Sequence, residues 1–335
     1  MAVLPFANAT ADPETEYLSD GIAESLINSL SQLPNVRVIS RASVFRYKGK
    51  DQDPGAAARE LGVRAVVTGH VMQRGDMLSI GAELVDTRDN RQLWGERYDR
   101  KLVDVLAVQQ EIAKQISENL RLRLTGDEQA RLAKRATANP EAYQAYLKGF
   151  HHARKLTREH VEKGMESFRH ALALDPSYAP AYAGLAYCYL YALADWYVPA
   201  KEVFPKAKEA ARKAIELDAS LSEAHTFLAM AKLLYDYDWP GAEQEFRRAI
   251  ELNPASSTAH SWYGGYLGAL GRFPTGMQEI KRALELDPLS SETNHALGIH
   301  FYYWRRYDEA ILQLVRTLEL DSNYFFAEMI LGSGL

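Results

Sequence analysis

The chain has 335 residues, 47% hydrophobic and 25% charged, with a net charge of −5. Residues 1–125 carry 16 Lys and Arg against 17 Asp and Glu, and the remainder 23 against 27, so neither part has the positive excess of a direct nucleic-acid binder. No apolar run reaches the roughly 20 residues of a membrane helix, and a single cysteine, Cys188, excludes an internal disulfide.

Ala2–Phe6 reads as a short apolar strand, with no secretory signal pattern ahead of it. Asp20 is placed as the cap of a helix whose Ile22, Leu26, Ile27, Leu30 and Leu33 recur at helical spacing. Val36–Ser40 alternates as a strand does. Asp53-Pro54 opens a second helix, an acid cap with proline at the first helical position, and Gly62 closes it. Arg64–Arg74 and Met77–Asp86 are two strands joined by Gly75-Asp76, a two-residue hairpin turn. Arg91–Tyr98 is a further strand, with Asp99, Arg100 and Lys101 as a polar turn behind it. Asp104 caps a long helix carrying Val105, Val108, Ile112, Ile116 and Leu120. The predicted order is β-α-β-α-β-β-β-α, an α+β domain with a mixed sheet over residues 1–125. Residues 126–138 are polar and are expected to form a linker, partly helical.

The rest of the chain repeats. ALALDP begins at 171, AIELDA at 214, AIELNP at 249, ALELDP at 283 and TLELDS at 317. The spacings are 43, 35, 34 and 34 residues, and a period of 34 is that of the tetratricopeptide repeat, two antiparallel helices per unit. Small residues (Gly264, Ala249, Ala310) recur where paired helices must approach. The closing Asp-Pro or Asn-Pro ends each second helix. Each pair leaves an apolar face that only the next pair covers, so an all-α solenoid is expected over 139–335: five units and one unpaired helix. An insertion falls around Tyr191–Phe204, and insertions map to loops at a solenoid edge. The abrupt ends make a segment of a longer protein the expectation, with Met1 as native start left open.

AVLPFAN at 2–8, EYLSDGIAESLINSLSQL at 16–33, RVISRASVFRYKGK at 37–50, ARELGVRAVVTGHVMQRGD at 58–76 and LWGERYDR at 93–100 resemble the TolB amino-terminal-like domain of bacterial regulators. EAYQAYLKG at 141–149 resembles the segment that leads into the repeats of those proteins. The resemblance implies an effector elsewhere in the parent chain: a class III adenylate cyclase, a Ser/Thr kinase or a CadC-like winged-helix DNA-binding domain. It also implies that the compartment depends on what precedes Ala2, periplasmic behind a transmembrane helix and cytoplasmic otherwise.

Residues that look catalytic have plainer readings. In Glu96-Arg97-Tyr98-Asp99-Arg100 the strand places Trp94, Glu96 and Tyr98 on one side, as packing aromatics do. Arg74-Gly75-Asp76 is a hairpin turn rather than an adhesion motif. Gly264, Gly265, Gly268 and Gly271 lie in a repeat helix with no strand ahead of them, which removes the phosphate-loop context. His151 and His152 point apart, and His295 and His300 are five residues apart, a poor metal spacing. Cys188 reads as a buried, inert thiol. No catalytic, cofactor-binding or metal-binding residue is therefore assigned.

The tyrosines and methionines of the repeats suit peptide recognition. The first helices of tetratricopeptide units line a concave groove in that family. Transferring those positions gives Tyr187, Leu190, Tyr191, Met230, Leu233, Leu234, His295, Ile299, Tyr302 and Tyr303 as the peptide-binding residues. The expected function is a non-catalytic sensory or scaffold module with a protein or peptide partner. The unpaired last helix could join a second copy as a homodimer.

Overall fold

The computed structural model describes residues 1–10, 12–33, 36–49, 53–120, 124–126, 128–129, 136–191 and 198–332. The N-terminal part is built on a mixed five-stranded sheet. β3 (Ala65–Arg74) and β4 (Met77–Asp86) form an antiparallel hairpin closed between Arg74 and Met77, and β5 (Arg91–Lys101) lies antiparallel on β4. The hairpin turn holds Gly75 at φ +62°, a left-handed backbone that glycine takes without a Cβ clash.

The expected first strand is split. β1 (Ala2–Val3) and β2 (Ala7–Asn8) each pair parallel with β3, Ala2 opposite Val66 and Ala7 opposite His70. The first chain advances one residue more than its partner between those points, so it bulges at Leu4–Phe6. Val36–Ser40 is not a strand. Ile39 N–H donates to the Met1 carbonyl at 2.9 Å and Ser40 N–H to the Leu286 carbonyl at 2.7 Å. Its bonds go to two parts of the molecule, so no ladder forms. Asp99, Arg100 and Lys101 continue β5 instead of turning, because their side chains reach water from the sheet edge.

Helix α1 (Glu16–Ser31) begins ahead of Asp20, which therefore lies inside it and does not cap it. A 3-10 turn at Pro13–Thr15, capped by Asp12, runs straight into the helix and sets the earlier start. α2 is the short Arg41–Val44 turn. α3 (Pro54–Leu61) has Asp53 accepting from Gly55 N–H and ends at Gly62 with φ +64°. α4 (Val105–Asn119) follows a 3-10 turn at Leu102–Asp104, and Asp104 stands at its cap position without a side-chain capping bond. Leu18, Ile22 and Leu26 of α1 and Val108, Ile112 and Ile116 of α4 share one core with Val67, Leu78, Ile80, Leu84 and Tyr98 of the sheet. The other sheet face, with His70, Glu83, Arg97 and Asp99, is exposed.

The second part is an all-α solenoid. Its helix pairs are α5 (Pro140–Ala153) with α6 (Arg158–Leu174), α7 (Ala179–Tyr191) with α8 (Ala200–Leu217), and α9 (Ser222–Ala231) with α10 (Trp239–Leu252). α11 (Ser257–Ala269) with α12 (Phe273–Leu286) and α13 (Ser291–Tyr303) with α14 (Tyr307–Leu320) follow, and α15 (Phe325–Gly332) packs on α14. Much of the sequence-expected linker, and residues 192–197 of the expected insertion, lie outside the described residues.

Two hydrogen-bond patterns repeat with the period. The N–H of Asp175, Asp218, Asn253, Asp287 and Asp321 closes each second helix on a carbonyl of its last turn, Ala171, Ala214, Ala249, Ala283 and Thr317. His225 places Nδ1 2.7 Å from Glu245 and Nε2 3.2 Å from the Ala219 carbonyl. His260 repeats this with Glu279 at 2.6 Å and the Pro254 carbonyl at 3.1 Å. Asn294 takes the same place in the next pair, against Gln313 at 2.7 Å and the Pro288 carbonyl at 3.1 Å. Each ties a first helix both to its partner and to the turn before it.

Candidate interaction site between the two domains

The N-terminal domain is clamped along the solenoid from its first helix pair to its fifth. α1 carries a polar stripe, Asp20, Glu24 and Ser31, on the side that meets the repeats. Asp20 lies 3.0 Å from His151 Nδ1 on α5 and 2.6 Å from Lys48 Nζ. Glu24 accepts from Arg154 Nε at 3.0 Å and forms an ion pair with Arg41 at 2.8 Å. Gly21 lets α1 approach α5, since a Cβ there would stand 2.8 Å from Leu147 Cδ2. Ser25 and Tyr143 share a hydrogen bond at 2.8 Å, and the Tyr143 hydroxyl also donates to Gln109 of α4.

Burial alone would raise the Glu24 pKa. Arg154 and then Arg41 outweigh that and hold the carboxyl below the usual carboxylate range. Asp20 behaves alike: burial raises it, and bonds from His151 and Lys48 bring it below its ordinary value. Unpaired, either buried acid would be costly.

The second station is the Ser40–Arg46 segment, which lies across the turns between repeats. Asp175, Asp218, Asn253 and Asp321 each accept from the N–H two residues on, closing their own turns. Asp287 does not. Its Oδ1 accepts Ser43 N–H at 2.9 Å and Ser43 Oγ–H at 2.6 Å. Leu289 N–H, the group that would have closed that turn, donates to Ser43 Oγ at 2.8 Å. Ser40 Oγ donates to Ser257 Oγ at 2.9 Å, and Arg46 reaches the Leu320 carbonyl at 2.8 Å. Burial pushes the Asp287 carboxyl up to about 6; the Ser43 bonds oppose the shift and Glu292 adds to it.

The array winds tightly over this seam. The Tyr191 hydroxyl, at the end of α7, donates to Glu292 at the start of α13, 3.2 Å away. The Tyr187 and Tyr191 rings lie with centroids 4.4 Å apart, tilted by 33°, and the Arg154 guanidinium lies 5.5 Å from the Tyr187 ring. Tyr187, Leu190, Met230 and Leu233, expected to line an open groove, are buried instead. The winding brings the inner helices of distant pairs together and leaves these side chains inside. Tyr191, His295, Ile299 and Tyr302 are half-buried, while Leu234 and Tyr303 are exposed.

The remaining candidates separate. His300 Nε2 is 2.9 Å from the Phe273 carbonyl, whereas His295 packs on Tyr324, so the two share no site. Tyr98 is buried and its hydroxyl donates to Glu96 at 3.1 Å. Cys188 is buried and its thiol is pushed up to about 12 by that burial. Among the described residues no group of three or more His, Cys, Asp or Glu could hold a metal ion. No described helix is long and apolar enough to cross a membrane.

With five helix pairs among the described residues, on a period of 34 to 35 residues over most of its length, the second part is a tetratricopeptide solenoid. Residues 1–115 match the family model of the HilA/YgeH-like transcriptional regulator, second domain. "Putative adenylate cyclase 3" of Rhizobium meliloti (strain 1021) is 37% identical over 238 residues, which is 69% of this chain and 40% of that protein. The chain thus spans about two fifths of the length of that curated relative. Among solved structures, TTC0263, a thermophilic TPR protein of Thermus thermophilus, is 19% identical with a TM-score of 0.48, covering 57% of this chain and 97% of that one. The human IFIT1 dimer with m7Gppp-AAAA is 16% identical with a TM-score of 0.49, covering 67% of this chain and 50% of that one.

Proposed function

We propose that this chain is a non-catalytic regulatory module that binds a protein or peptide through its repeats and belongs to a longer signalling protein. The observation that carries the reading is the seam. Glu24, Ser43 and Arg46 tie the N-terminal domain to three separate parts of the solenoid. A ligand that changes the curvature of the array must strain or release those contacts, and so it acts on the other domain. The match to the second domain of a transcriptional regulator and the likeness to a cyclase-named protein support a regulatory setting. On this reading the N-terminal domain is of the TolB amino-terminal-like kind. The attached output is an adenylate cyclase, a Ser/Thr kinase or a CadC-like DNA-binding domain.

The ligand contacts the groove positions that remain reachable: Leu234 and Tyr303, flanked by Ile299 and Tyr302. An aromatic anchor there supplies binding energy at a small ordering cost. A peptide-display selection on the whole chain, followed by titration on Leu234→Ala and Tyr303→Ala, tests it. A loss of about tenfold or more in either variant is expected. Wild-type affinity in both variants would remove the groove from the reading. The chain incubated with ATP and a divalent cation is expected to yield no cyclic nucleotide, and turnover that follows the purified chain would overturn the non-catalytic reading.

A further inference from the structure

We propose that β5 is a self-pairing edge through which two copies of this chain join antiparallel, in a single register centred on Tyr98. Among the described residues β5 pairs with β4 alone, so its outer edge presents unpaired backbone donors and acceptors. The strand is 11 residues long and only Tyr98 in it is buried. Arg97 and Asp99, on the uncovered sheet face, keep 65% and 57% of their side-chain surface.

Charged residues on an edge ordinarily prevent pairing. Here their order is selective. A two-fold axis normal to the sheet keeps every side chain on its own face, so opposed residues share parity and the axis passes midway between one residue and its own counterpart in the second copy. With the axis at Tyr98, Arg97 faces Asp99 of the second copy and Glu96 faces Arg100, each twice by symmetry. An axis at Arg97 or at Asp99 sets that charge against itself. An axis at Glu96 sets the acid against itself and Arg91 against Lys101. Of the registers from 96 to 99, one alone is complementary, and it is complementary on both sheet faces.

The groups are already placed for the exchange. Arg97 and Asp99 meet at 3.2 Å within the strand, and Glu96 accepts from Tyr98 at 3.1 Å. Pairing replaces the first contact by the same contact made across the axis. The two sheets become one; the solenoid meets its own domain through α1, α2, α4 and the Leu102–Asp104 turn, and β5 itself stays open along its outer edge. This surface is separate from the terminal helix α15.

Charge exchange tests the register directly. Arg97→Asp places two acids opposite each other, and Asp99→Arg places two cations opposite each other. Both positions are exposed and neither enters the core. Sedimentation of the wild-type chain is expected to give a dimer at concentrations on the order of 100 μM. Each single variant is expected to weaken that dimer about tenfold or more. Mixed in equal amounts, the two variants set acids at positions 97 and 99 of one copy opposite cations at positions 99 and 97 of the other, and a heterodimer is expected. A wild-type monomer at that concentration, a dimer unmoved by either substitution, or a mixture that fails to pair would each overturn the proposal.

Discussion

Ser43 occupies the turn that Asp287 would otherwise close on itself. It gives Asp287 Oδ1 two hydrogen bonds, at 2.9 and 2.6 Å, and takes the Leu289 N–H at 2.8 Å. Four sibling turns satisfy the same groups locally. One turn of the array has thus been opened to hold the other domain. Ser43→Ala removes the hydroxyl and leaves a buried acceptor and a buried donor short of a partner. The expected cost is about 1–3 kcal/mol, read as a lowered urea midpoint. Faster hydrogen exchange at Leu289 should accompany it. An unchanged midpoint with unchanged exchange would mean that the turn recloses as its siblings do.

Asp287 also makes the seam sensitive to pH. Its folded pKa is about 6, above the roughly 3.9 of an unfolded aspartate. The folded chain therefore holds this proton more tightly. The stability that it brings is complete below pH ~4 and is lost as the pH rises through ~6, about 3 kcal/mol at most. Asp287→Asn cannot titrate. The stability of wild type minus that of Asp287→Asn should rise as the pH is lowered from 7 to 4. A flat difference over that window would remove the argument, whatever the other carboxylates do, because they titrate in both proteins.

Glu24 is the acid shared by Arg154 and Arg41. Its own side chain is 11% exposed, and the two arginines 28% and 23%. Glu24→Ala leaves two guanidinium groups facing each other with no acid between them. Breaking a buried pair from one side costs about 3–5 kcal/mol, and the partial exposure of both arginines places the expectation at the low end. Arg154→Ala in the same background should recover part of the loss. A double-mutant cycle on the denaturation midpoints measures that coupling, and additive losses would show that Glu24 does not bridge the domains.

Much of this fold is legible as pattern. The recurring ALELDP-like endings, the last four of them 34 to 35 residues apart, mark the solenoid, and Asp53-Pro54, Gly62 and Gly75 mark their helix and turn from local chemistry alone. Asp20 reads as a cap because an acid ahead of an apolar helical run looks like one, while the true start is hidden in a 3-10 turn. The seam itself is nearly illegible. Asp20, Glu24 and Ser31 do form a polar stripe on a helix that otherwise points inward, which is a signal for a second partner. Nothing around Ser43 announces its role, because Asp287 matches its siblings in sequence and differs only in what occupies its turn. The burial of several groove positions is hidden for a related reason. Helical periodicity shows which face turns inward, and it does not show how tightly the array winds, so Tyr187 and Met230 are legible as inner-face residues but not as buried ones.

Gly264 and Gly265 are neighbours on α11 with opposite expected responses to the same substitution. A Cβ on Gly264 would overlap Ile280 Cγ1 and stand 2.9 Å from the Gly276 carbonyl oxygen, so α11 and α12 would have to separate. The carbonyl belongs to backbone and cannot rotate away as a flexible side chain can. Gly264→Ala should therefore destabilise the chain by about 1–3 kcal/mol, as overpacking does. At Gly265 a Cβ meets nothing within 4 Å. Alanine there restricts the unfolded chain and suits a helix interior, so Gly265→Ala should stabilise by about 0.5–1 kcal/mol. Thermal melts of the two variants decide the matter: a raised midpoint in both would mean that helix propensity, and not the close approach of the paired helices, governs this part of the repeat.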